Sequence, residues 1–119
     1  MTFKELTIGR TPNGNLAQLL LNGKWLEEIG FTVGTFVTAA YHDSCLTLKT
    51  DGLERLEEPV YTFVVTSKKV RNRPRTQLLL DGFLLKKYGM GVGDRVALSL
   101  APNMIQITKI NRFALAESA

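Results

Sequence analysis

The chain is poor in the residues that most often perform chemistry. Among its 119 residues there is one cysteine, Cys45, and one histidine, His42. A lone cysteine excludes an internal disulfide and suits a reducing cytoplasm. One Cys and one His without ligand spacing do not make a zinc site, so no metal is expected. His42 adjoins Asp43 and Ser44, but a catalytic triad needs convergence from separate elements, and the trio reads as a turn. Glu27 and Glu28 point apart on a helix and are poor candidates for a general acid/base pair. No glycine-rich phosphate loop is present; Gly30, Gly34, Gly89, Gly91 and Gly93 fit turns around short helices. No apolar run approaches the roughly 20 residues of a membrane helix. The start, Met1 to Glu5, lacks a signal peptide's apolar core. Neither catalytic residues nor a cofactor are therefore assigned, and a cytoplasmic protein is expected.

What the chain does have is a repeat. Gln18 to Val37 returns as Gln77 to Val96 at a constant offset of 59 residues, with ten identical positions. Self-similarity of this kind is settled first, because it governs every later reading. Two copies are too few for a solenoid. Each alone would bury little apolar surface and be marginal, which favours two halves around one core. Hydrophobic content of 45% with 22% charge is that of a globular domain.

The net charge of +4 is unevenly divided. Residues 1–59 carry five Lys/Arg against eight Asp/Glu, and residues 60–119 carry ten against three. A basic half points to a polyanionic partner. Solubility and attraction between the halves form the plainer explanation.

Hydrophobic patterning and turn residues predict the same order in each copy. In the first, strands run over Phe3–Ile8, Ala17–Leu21, Thr35–Tyr41 and Cys45–Lys49. The second strand is wholly apolar and is expected to be covered on both faces. A loop spans 10–15, Asn22 caps a short helix containing Trp25, Leu26 and Ile29, and Gly30 stops it. Residues 51–59 form a linker. The second copy places strands at Val60–Ser67, Thr76–Leu80, Asp94–Leu100 and Met104–Ile110. Lys68 to Arg75 is its loop, Asp81 its cap, Phe83–Tyr88 its helix and Gly89 the stop. Residues 111–119 form a tail. Each unit is β-β-α-β-β, and interleaving two units removes exposed edges.

Leu21, Gly23, Trp25, Leu26, Gly30, Phe31, Gly34 and Val37 match, position by position, the pattern L-x-G-x-W-L-x-x-A-G-F-x-x-G-x-x-V. This stretch resembles the SymE-type toxin family; Ile29 stands where that family usually has Ala. The second copy keeps Leu80, Gly82, Leu85, Gly89, Gly93 and Val96 and reads as diverged. The resemblance implies a mostly β, SpoVT/AbrB-like fold, with two units exchanging hairpins in one barrel. Here both units lie on one chain, an intramolecular pseudo-dimer, with a homodimer as the other arrangement. It also implies a toxin of a toxin–antitoxin system that acts on nucleic acid, with RNA cleavage described for the family.

The residues themselves point to phosphate. Lys68, Lys69, Arg71, Arg73 and Arg75 fall within eight positions, and guanidinium groups pair bidentately with phosphate oxygens. Pro74 stiffens the segment. On the AbrB-like scaffold this loop lies at the DNA-facing end. The first copy offers only Arg10 at the equivalent place, so binding is expected to be asymmetric and weakly sequence-specific, to DNA or RNA. Lys4, Lys86, Lys87 and Arg95 are weaker contacts. Trp25 and Phe31 are candidates for base stacking, although Trp25 at helical spacing beside Leu26 reads as core. An RNA-cleaving enzyme and a protein-interaction module without nucleic acid remain the alternatives.

Overall fold

Leu46 and Leu48 in Cys45–Lys49, and Val96, Leu98 and Leu100 in Arg95–Ala101, fall at every second position, and both segments are strands buried at those residues. The computed structural model describes residues 2–11, 16–50 and 61–110. In chain order the elements are β1 (Thr2–Thr7), β2 (Gly9–Arg10), β3 (Ala17–Asn22), α1 (Lys24–Glu28), β4 (Phe36–His42), β5 (Cys45–Lys49), β6 (Tyr61–Val64), β7 (Thr66–Val70), β8 (Arg73–Leu80), α2 (Gly82–Lys87), β9 (Arg95–Ala101) and β10 (Met104–Lys109). The linker at 51–59 and the tail at 111–119 lie outside the described residues.

The strands form two antiparallel sheets. One has the order β1-β9-β10-β5-β4-β6 and the other β2-β3-β8-β7. Exchanging each element for its counterpart in the other copy leaves both orders unchanged. The pairings cross between copies: β1 lies on β9, β6 on β4, β10 on β5 and β3 on β8. The fold is mostly β, as expected. Among the described residues no ladder joins the two sheets, so the pairing does not close a single barrel; two sheets enclose the core instead. One apolar cluster includes Leu19 and Leu78 from the small sheet, Leu46, Leu98 and Ile107 from the large one, and Leu26 and Leu84 from the helices.

Three local expectations are corrected. The first strand of each copy is broken where it passes from the large sheet to the small one, at buried Ile8 and Val65. Ile8 exchanges backbone bonds with Asp94 and Gly93, and Val65 with Thr35 and Gly34. These hinges are 57 residues apart, whereas their partners keep the 59-residue offset. Ten residues separate Ile8 from Leu19 and twelve separate Val65 from Leu78, so the second copy's hairpin is the longer by two. Second, Asn22 ends β3 and does not cap α1. The N-cap is Gly23 at φ 124°, with no side-chain bond, and the carbonyl of Asn22 accepts the Trp25 indole N–H at 2.8 Å. Asp81 does cap α2, its Oδ1 accepting the Leu84 N–H at 3.0 Å. Third, β3 is covered on one face only, since Leu20 is exposed between buried Leu19 and Leu21.

Candidate nucleic-acid interface

Residues 68–75 are not a loop. β7 and β8 pair as far as Val70↔Arg73, leaving Arg71 and Asn72 as a two-residue turn with φ of 53° and 64°. Positive φ at both central residues is the type I′ geometry that matches the twist of a hairpin. Alternation within β8 decides which basic residues share a side. Thr76, Leu78 and Leu80 are buried. Arg73 and Arg75 have the opposite parity, and Lys68 joins them as the register partner of Arg75. Lys69, opposite Pro74, is on the other side. The ladder to β3 ends at Asn22↔Gln77. Proline therefore costs no bond at Pro74, whose nitrogen falls at a non-bonded pair and faces away from β7.

All five basic residues of the hairpin are exposed. Among the described residues the ion pairs are His42–Asp43, Arg95–Glu5 and Lys109–Asp94; no carboxylate engages the hairpin. Between the hairpin and α1 runs an open groove of roughly 1190 Å³. Its lining brings together Arg71, Arg73 and Arg75 with Lys24, and includes one carboxylate, Glu27.

Comparison with protein-family models, curated proteins and solved structures finds no match. The resemblance given above rests on the quoted residues.

Arg10 does not join the basic group. It is exposed on β2, paired with Ala17. Ala17 lies beside Gly82 at the start of α2, whereas Gly23 donates to Thr76 at the other end of the β3–β8 ladder. The two hairpins therefore point in opposite directions, and Arg10 is at the far end of the small sheet. Lys86 and Lys87 belong to α2, in its last turn, where cations complement the helix dipole. Arg95 is held by Thr7 Oγ1 at 3.1 Å and Glu5 Oε2 at 3.4 Å, so it is not an open phosphate contact. Lys4 lies over the Trp25 ring with Nζ 5.2 Å from the centroid.

Phe31 is fully buried and cannot stack on a base, and Trp25 is half-buried against the core. Tyr41 instead stacks on Tyr88, centroids 4.0 Å apart and planes 7° apart. His42 forms a 3.2 Å contact with its neighbour Asp43 in an exposed turn. No group of three or more His, Cys, Asp or Glu side chains is placed to hold a metal among the described residues. Nor is any described helix long and apolar enough to cross a membrane.

Sequence reasoning missed Lys24. Nothing in the sequence around it marks it as a phosphate contact, and only the packing of α1 beside β8 brings it opposite the hairpin.

Proposed function

We propose that the protein binds nucleic acid electrostatically, with the β7–β8 hairpin gripping phosphates, and that the chain is an AbrB-like pseudo-dimer whose two copies exchange hairpins. The observation that carries the binding reading is the set of five exposed cations on one hairpin with no carboxylate in ion-pair contact among the described residues. A cation cluster held apart from its own carboxylates is costly through self-repulsion and is relieved by an external anion. The cross-copy pairings of β1 with β9 and β6 with β4 support exchange. The SymE resemblance adds a role as a nucleic-acid-directed toxin.

Among the described residues, the groove beside the hairpin has Glu27 as its only carboxylate and no histidine. That composition favours holding a polyanion over cleaving one, because general acid–base cleavage needs a matched pair of proton-transfer groups. The test replaces Lys68, Lys69, Arg71, Arg73 and Arg75 together with Gln. Retention on heparin and on labelled DNA or RNA at low salt should disappear, while the wild type should show a salt slope of roughly −4 to −5 on duplex DNA. Retention that survives the five substitutions removes the hairpin from the function. RNA degraded by the wild type, and spared by point variants, would put cleavage in its place.

A further inference from the structure

We infer that the β7–β8 hairpin is a two-stranded ribbon that enters the major groove of double-stranded, B-form DNA; this rests on the nucleic-acid reading above and names the form of nucleic acid. β7 is the edge of its sheet. On the other side β3 stops opposite Gln77, and the last described backbone bond to the first copy runs from Gly23 to Thr76. Beyond that point no further strand flanks the ribbon among the described residues, and α1 lies across the open groove. Arg73 to Arg75 span about 7 Å at strand rise, with the Arg71-Asn72 turn beyond them. The major groove of B-DNA is about 12 Å wide and 8.5 Å deep and admits a two-stranded β-ribbon. The A-form major groove of duplex RNA is too deep and narrow for one.

The charges suit that placement. Lys68, Arg73 and Arg75 lie on one side of the ribbon and Lys69 on the other, so phosphates of both strands bordering the groove have a cation. Lys24, across the cleft from the hairpin, reaches the backbone on the α1 side. The tip presents a guanidinium and a carboxamide, Arg71 and Asn72, the two groups that pair bidentately with guanine and adenine edges. The opposite hairpin lacks this set of cations in sequence. One chain therefore has one reading head, and its site needs no palindrome.

The experiment uses the full chain and four probes: a DNA duplex, an RNA duplex of the same sequence, single-stranded DNA, and a DNA duplex whose cytosines carry glucosylated 5-hydroxymethyl groups. Those sugars fill the major groove and leave the charge unchanged. Plain duplex DNA should bind at least about tenfold more tightly than the other three. A companion variant, R71N/N72G, keeps the turn, since Asn-Gly is the favoured type I′ pair. It should fold normally and lose about tenfold in affinity for duplex DNA. Equal binding to blocked and plain duplex, to RNA or to single strands overturns the groove assignment while leaving phosphate binding intact. Full affinity in R71N/N72G also overturns it. Binding to none of the four removes both readings.

Discussion

Leu20 and Leu79 face each other across the β3–β8 ladder, and each is the other's counterpart in the 59-residue repeat. They lie side by side in the small sheet, 37% and 43% exposed. Thr47 and Gln106 occupy the same relation between β5 and β10 in the large sheet. Buried residues of both copies form one apolar cluster between the two sheets.

Unfolding should accordingly be one transition. Leu21 and Leu80 are counterparts, each fully buried in the common cluster. Leu21→Ala and Leu80→Ala should each destabilise by about 2–5 kcal/mol, and by similar amounts. Urea denaturation followed by circular dichroism and by Trp25 fluorescence should give coincident curves. Separated transitions, or a Leu80→Ala effect on one probe alone, would show two independent units.

The two helix starts differ, and their variants should differ with them. Asp81→Ala removes the bond from its carboxylate to Leu84 N–H and should cost about 1 kcal/mol. Asn22→Ala removes no cap, because only its backbone carbonyl is engaged. A melting temperature unchanged in D81A and depressed in N22A contradicts the assignment.

Gly30 and Gly89 are counterparts with φ of 101° and 76°. Both stop a helix, and Ala at either position is strained. Asn103 packs directly against Gly30, and its Oδ1 accepts a bond from Thr50 Oγ1 at 3.1 Å; nothing lies within 4 Å of the corresponding point at Gly89. Gly30→Ala should therefore be the more damaging by at least about 1 kcal/mol. Adding Asn103→Ala should narrow that gap in a double-mutant cycle.

Thr38 is fully buried in β4, and its hydroxyl has no hydrogen-bond partner among the described residues. A buried unpaired hydroxyl costs about 1–3 kcal/mol. Thr38→Val keeps the shape and removes the cost, so its urea midpoint should rise. A fall would mean that the hydroxyl is satisfied.

Glu27 is the one carboxylate among the described residues that line the groove beside the hairpin, and its counterpart in the repeat is Lys86. Glu27→Lys should strengthen binding to nucleic acid at low salt and steepen the salt slope by about one. Fluorescence anisotropy across a salt series reads both. Weaker binding in E27K would place the polyanion elsewhere.

The sequence was sufficient for whatever depends on near neighbours. The repeat, the order β-β-α-β-β apart from the break in each first strand, the Asp81 cap, the Gly30 and Gly89 stops and the concentration of charge at 68–75 could all be read from it. Each is set within a few residues by rotamer, φ preference or period. What it left open is which strand lies beside which. Nothing local in Thr2–Thr7 specifies β9 as its neighbour, and that pairing is won by burying one shared core across more than 85 residues of chain. Long-range packing also sent Arg10 to the far end of the sheet, tied Arg95 to Glu5 and set Lys24 across from the basic hairpin, whereas the ribbon itself closes locally through the Arg71-Asn72 turn.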